Sequence, residues 1–248
     1  MSMNIALTGL KAATTDLNVI SDNIANSNTT GFKSGRAEFG DLVGDDKSRV
    51  GGIGVQTQAI TQQFTQGGVV NTGNPTDLAI VGEGFFVVKD ATGSYYTRAG
   101  AFHVDKDGYI VNNLNQRLQN SSGDMKLSGT GPWGNISMDS LYNITALDST
   151  GAAITPIPVG LVNFPNVQGL QAVGDTNWKE TTASGAPSAI AAPQTKGMGK
   201  VLSGALEASN VDLSQQLVNM IVAQRNFQAN AQVISTDNTL AQTVINIR

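Results

Sequence analysis

The chain has 248 residues, room for one large domain or two modest ones, and a net charge of only −4 from 15 basic and 19 acidic side chains. The basic residues form no run, which argues against nucleic acid, and no apolar run approaches the ~20 residues of a membrane span. With no cysteine and a single histidine, disulfides, thiol chemistry, Cys–His pairs and His-rich metal sites are excluded.

Residues 3–27 predict a helix. Met3, Ala6, Leu10, Ala13, Leu17, Ile20 and Ile24 recur at alternating steps of three and four, the period of a coiled-coil seam. Gly9 weakens the helix, and the run Asn26-Ser27-Asn28-Thr29-Thr30-Gly31 ends it with turn and left-handed cap residues. No basic segment followed by a solid apolar stretch opens the chain, so no cleaved signal peptide is expected, and if the protein leaves the cell it needs another route.

Residues 32–66 read as an extended connector, broken by Gly35, Gly40, Gly44, Gly51, Gly52 and Gly54. Alternation from Val55 to Ile60 predicts a strand there, and Asp45-Asp46-Lys47-Ser48-Arg49 reads as a solvated loop tip.

Residues 67–204 predict a central, mainly antiparallel β-domain. Leu78 to Val88 gives two strands around a glycine turn. Asp90–Gly93, Asp105–Gly108 and Asp148–Gly151 share the form D-x-x-G between strand-like runs and read as hairpin turns. Pro156 and Pro158 place their segment at a sheet edge or bulge. Residues 181–199, rich in Ala, Gly, Pro and Ser, read as a returning loop.

Residues 205–248 carry the strongest pattern. Leu213, Leu217, Met220, Gln224, Phe227, Ala231, Ile234, Asn238, Ala241 and Ile245 keep the same three-four alternation, with Ser209 and Asp212 as a capping box. From Ser209 onward the helix would reach roughly 55–60 Å. Its polar face is Asn, Gln, Ser and Thr, with only Asp212, Arg225, Asp237 and Arg248 charged. Amides and hydroxyls hydrogen-bond without the heavy desolvation cost of a buried charge. Burial against other protein, above all other copies of the chain, is therefore expected. The seam residues expected to carry assembly are Leu10, Leu17, Ile20, Ile24, Leu213, Leu217, Met220, Phe227, Ile234 and Ile245. The two terminal helices are expected to pair with each other. Being marginal in isolation, they are expected to gain their order on assembly.

No catalytic, cofactor or metal site is expected. His103 sits in a predicted strand and no serine lies in a G-x-S-x-G elbow. Asp105-x-Asp107-Gly108 lacks the rest of a calcium loop, which would need Glu where Gln116 stands. Gly82-Glu83-Gly84 does not continue to a phosphate loop, and Lys200 is followed by Val201. Phe85, Phe86, Tyr95, Tyr96 and Phe102 read as core. Trp133 and Trp178 read as covering the β-domain edge or making subunit contacts.

Four blocks together resemble a known family. They are Gly9-Leu10-Lys11-Ala12-Ala13 with Leu17-Asn18-Val19-Ile20-Ser21-Asp22-Asn23-Ile24-Ala25-Asn26 and Thr30-Gly31-Phe32-Lys33; Asn71-Thr72-Gly73, Asp77-Leu78-Ala79-Ile80 and Gly84-Phe85-Phe86; Tyr96-Thr97-Arg98-Ala99-Gly100-Ala101-Phe102; and Gly204-Ala205-Leu206-Glu207-Ala208-Ser209-Asn210-Val211-Asp212-Leu213 with Gln224-Arg225-Asn226-Phe227. The chain resembles the axial proteins of the bacterial flagellar hook and rod. That resemblance implies an α+β fold, with discontinuous terminal helices as a coiled-coil inner layer and the β-domain outside. It implies export through the flagellum's own type III apparatus and no cofactor, nucleic acid or membrane insertion. It also implies polymerisation into a helical tube beside other axial proteins: rod, hook cap and hook–filament junction.

Within the family, the C-terminal ending looks most like a hook subunit, in a compact form without the extra outer β-domain of typical hook proteins. The length is similar to that of rod subunits, the alternative. A monomeric β-domain binding module with a helical tail is the remote alternative, and it would keep its helices without self-association.

Overall fold

The computed structural model describes residues 2–43 and 52–246; the expected loop tip Asp45–Arg49 lies outside them. The fold is α+β, and every strand pairing among the described residues is antiparallel. The chain divides into two compact units. One contains Met1–Ser27, Ser34–Gln63 and Val211–Arg248; the other contains Asn28–Lys33 and Phe64–Asn210.

The first unit is helical with one hairpin. Helix α1 spans Ser2–Ala25, strands β1 (Gly35–Val43) and β2 (Gly52–Gln62) pair antiparallel, and helix α2 spans Leu213–Asn246. The helices pack antiparallel: Asn23 Nδ2 donates to Gln216 Oε1 at 3.4 Å, while Gly9 lies against Asn230. The other flank of α1 meets the hairpin. There Asn23 imitates a strand, donating to the Gly35 carbonyl at 2.9 Å and accepting from the Gly35 N–H at 2.8 Å. Thr8 Oγ1 accepts from the Val55 N–H at 3.2 Å.

Helix α2 begins later than its capping box predicts. Asp212 Oδ1 accepts from the N–H groups of Ser214 at 2.8 Å and Gln215 at 3.2 Å, so Asp212 itself is the N-cap. Ser209 is instead a buried residue of the other unit.

The second unit holds, among the described residues, fifteen strands: β3 (Val69–Asn71), β4 (Leu78–Val81), β5 (Phe86–Lys89), β6 (Ser94–Thr97), β7 (Phe102–Val104), β8 (Ile110–Asn112), β9 (Arg117–Asn120), β10 (Gly123–Asp124), β11 (Gly134–Met138), β12 (Asn143–Leu147), β13 (Ile157–Pro158), β14 (Gln171–Gly174), β15 (Asn177–Lys179), β16 (Lys200–Ser203) and β17 (Ala205–Glu207). The largest sheet runs β14-β15-β6-β5-β9-β8-β7, with β10 paired to β9. A three-stranded sheet places β13, and so Pro158, at its edge, where a missing N–H does least harm.

Strand β5 explains its own sequence. It is buried on both faces, so Gly84-Phe85-Phe86-Val87-Val88 reads as a continuous apolar run. By strand parity, Phe86 and Val88 enter the larger core with Phe102, Ile110 and Leu118. Phe85 and Val87 enter a smaller one with Tyr96, Phe164 and Trp178. The rings meet edge-on: Phe86 and Phe102 have centroids 5.4 Å apart, and Phe85 and Trp178 5.9 Å. Trp178 is thus core, 2% exposed, rather than an edge cover. All three D-x-x-G segments are turns, closed by Asp90 N–H to Gly93 O at 3.0 Å and by Gly108 and Gly151 N–H to Asp105 O and Asp148 O at 2.9 Å.

Strands β1 and β2 group with the helices, the first held to α1 by Asn23. Residues 205–210 belong to the β unit, because β17 pairs with β3 and β16 with β4. These pairings join strands more than a hundred residues apart, and no local pattern announces them.

Candidate assembly surface

On α1 most of the seam faces protein. Ala6, Ala13 and Ile20 are buried, Leu10, Leu17 and Ile24 are half-buried, and Met3 is 50% exposed; Val19, beside the seam, is buried too. On α2 the outcome is mixed. Met220, Phe227 and Ile234 are half-buried, but Leu213, Leu217 and Ile245 are exposed by 44, 51 and 73%. The positions of α2 that are at least half-buried are Gln216, Asn219, Met220, Ala223, Phe227, Asn230, Ala231, Ile234 and Asp237. A line through Gln216, Met220, Ala223, Phe227, Asn230, Ile234 and Asp237 keeps the three-four alternation one residue off the expected seam at alternate steps, with Asn219 and the seam residue Ala231 beside it. The inward line is set by size and hydrogen bonding: Ala223, 1% exposed, is the one fully buried residue among the described residues of α2, and Gln216 reaches Asn23.

That leaves an unpartnered face. Leu217, Val218, Ile221 and Val222 are each more than half exposed. Every residue from 238 to 246 is exposed, including Leu240, Val244 and Ile245. Fully burying each such side chain is worth about 1.5–3 kcal/mol, and exposed apolar side chains grouped like Leu217, Val218, Ile221 and Val222 are the kind of surface that protein–protein contacts cover. The only charges on α2 are Arg225 and Asp237, so little opposes its burial.

The residues that sequence reasoning missed as a group are Lys33, Arg98 and Glu207, all inside the β unit. Lys33 Nζ lies 2.6 Å from Glu207 Oε1 and donates to the Thr65 carbonyl at 2.8 Å; neither charged side chain has any exposure. The Gly67 N–H donates to Glu207 Oε1 at 3.0 Å and the Gly31 N–H to the Glu207 carbonyl at 2.8 Å. Arg98 NH1 approaches Glu207 Oε2 at 3.4 Å with its guanidinium 5.2 Å above the Phe85 ring. Burial lowers the Lys33 ammonium below its ordinary 10.5, opposed by the Glu207 charge; the same two effects act on Arg98. Gly31 fits because it takes φ +71°, and a Cβ there would lie 2.5 Å from the Ala99 nitrogen. In β17, Ala205 and Glu207 share the buried parity, which puts a carboxylate indoors and requires cations beside it, a placement fixed only once the strand is paired. The cluster ties the segment after α1, the segment after β2 and the last strand into one knot.

His103 is exposed on β7. Among the described residues no group of three or more His, Asp or Glu could hold a metal ion, and no helix is long and apolar enough to cross a membrane. Trp133 stacks over Gly108 and Gly131 and donates to the Ser128 carbonyl at 3.0 Å.

Three family models match the chain: "Flagella basal body rod protein" over residues 3–33, "Flagellar hook protein FlgE/F/G D1 domain" over 79–155, and "Flagellar basal body rod FlgEFG protein C-terminal" over 202–247. Lys33, Arg98 and Glu207 fall one in each. The chain is 36% identical to the flagellar basal-body rod protein FlgG of Agrobacterium fabrum, over 98% of this chain and 97% of that one. It is 34% identical to the FlgG rod protein of Bacillus subtilis, over 100% and 98%. With the flagellar hook protein FlgE of Salmonella typhimurium it shares 28% identity over all of both chains, in an alignment stretched to 407 positions.

Proposed function

We propose that this chain, which belongs to the family of bacterial flagellar hook and rod axial proteins, is a structural subunit of the flagellar basal-body rod. The observation that carries the rod reading over the hook reading is the end-to-end match to rod proteins of nearly the same length. The hook proteins align only across a much longer span, so a compact hook subunit is the less supported expectation. The task is mechanical. Copies stack as a helical tube, a heterologous assembly that does not close on itself, and torque passes along it through many repeated contacts.

The exposed apolar face of α2 supports self-assembly through the terminal helices. The dense cores of the β unit support a rigid outer body. The seam residues Leu213, Leu217 and Ile245, open in the single chain, are covered in the polymer on this reading, while Leu10, Leu17, Ile20, Ile24, Met220, Phe227 and Ile234 hold the helical unit together. Neighbouring axial proteins and the flagellar export apparatus are the other partners, and the place is the basal body.

Electron microscopy of basal bodies from a strain lacking the chain tests this. Loss of part of the rod, with the hook lost in consequence, is expected. A complete rod without a hook would make the chain a hook subunit. Intact rods and hooks would remove it from the axis altogether.

A further inference from the structure

A groove runs along α1 inside the helical unit, with α1 as its floor and α2 and the hairpin as its walls. It holds two adjoining cavities of about 220 and 290 Å³, and Asp16 lines both. One end of the floor is Gly9, Ala12 and Ala13; the chain's own Asn230 covers Gly9 and Ala13 is buried, which leaves the half-buried Ala12 as the small residue open there. Asp16 makes no hydrogen bond or ion pair among the described residues, and burial raises its carboxyl above the ordinary 3.8 with no nearby cation opposing the shift. The other charged residue on the groove, Arg36, is already engaged with Glu38 at 2.8 Å.

A complementary surface lies on the outside of α2. Leu217, Ile221 and Arg225 follow one another at steps of four, on one helix face, and all three are exposed. Arg225 is the single cation of α2 and has no partner among the described residues. The groove thus lacks an uncommitted cation and an apolar filling, and the helix face offers both.

We propose that the Asp16 groove receives α2 of a second copy, running parallel to α1, with Leu217 and Ile221 over the Ala12 end of the groove and the Arg225 guanidinium on the Asp16 carboxylate. The proposal rests on the subunit reading above and specifies the contact through which subunits join. Each copy gives one surface and receives at the other, so the contact repeats head to tail without closing. A planar guanidinium suits a carboxylate in such a slot better than an ammonium would.

The test is a charge exchange in a strain whose only copy is the full-length variant. Asp16→Arg and Arg225→Asp are each expected to lower the number of rods per cell by about tenfold or more, and the double exchange to recover most of it. Soluble helicity of each variant is checked by circular dichroism. Where an exchange fails to fold, Asp16→Asn and Arg225→Gln read the same contact: alone or together they should weaken assembly equally, since either removes the one pair. No recovery in folded double variants, additive losses in the milder pair, or single exchanges that assemble normally would each overturn the groove contact. Those results would leave the subunit reading standing, because that reading fails only if rods are complete when the chain is absent.

Discussion

The two units of this chain are built to different standards of self-sufficiency. The β unit buries two apolar clusters and even three charged side chains, Lys33 and Arg98 sharing the Glu207 carboxylate. The helical unit has a 34-residue helix with one fully buried residue among those described. A helix of that length gains most of its stability from packing an apolar face, and here much of that face meets solvent. On the proposed subunit reading, the contrast teaches where assembly acts: on the helical unit, whose bare face other copies cover, rather than on the β unit with its own buried clusters.

The sharpest break of that comparison is Leu217→Asp. Leu217 is 51% exposed, so the change should alter unfolding of the single chain by no more than about 0.5 kcal/mol yet abolish rod formation, as counted by electron microscopy. Rods built normally from Leu217→Asp chains would show that α2 needs no partner on this face.

Glu207→Gln addresses the other unit. It leaves Lys33 buried without its counter-charge and Arg98 with only the more remote Glu83, and should cost the β unit about 3–5 kcal/mol, read as a lower urea midpoint of tryptophan fluorescence from Trp178. An unchanged midpoint would mean the cluster contributes nothing to the unit's independence. Gly31→Ala, forcing a side chain onto φ +71° and against Ala99, should cost roughly 1–3 kcal/mol in the same measurement. Asp212→Ala removes the α2 cap and should cost about 1 kcal/mol, seen as reduced helical ellipticity with the fluorescence midpoint unmoved.

The smallest expected effect is the response to acid, and its sign differs between the units. The Thr92 hydroxyl and N–H hold Asp90 at about 2 against an ordinary 3.8, and hydrogen bonds from Asn143 and Thr150 lower Asp139 and Asp148. A lowered carboxyl adds stability that is present above its ordinary value and lost as pH falls through the folded one, so the β-unit turns weaken between about pH 4 and 2. Asp16 is raised instead. Its contribution is full below 3.8 and lost as pH rises through the folded value, so mild acid favours the helical unit of the single chain. Parallel acid titrations of ellipticity and fluorescence that coincide would contradict this split.

Much of the molecule is legible in its sequence. The D-x-x-G turns carry their own chemistry, since an Asp accepting from the turn and a glycine beyond it need no distant partner. The apolar run through Phe85 and Val88 announces a strand buried on both faces. The knot of Lys33, Arg98 and Glu207 is not legible there, because its members come from three segments joined only when β17 pairs with β3. The face of α2 is half legible: periodicity supplies the alternation, but choosing among neighbouring lines needs the partner surface, where a small Ala223 and an amide Gln216 fit better than the larger Leu217.

By itself the sequence determined the two terminal helices, the antiparallel β body between them and the kinship with flagellar axial proteins, because those follow from local periodicity, turn chemistry and contiguous motifs. The tertiary structure alone decided that residues 34–63 fold with the helices, that the C-terminal strands close the β unit, and which side of α2 remains bare. Those outcomes depend on pairing between distant segments, whose free energy no local window of the sequence contains.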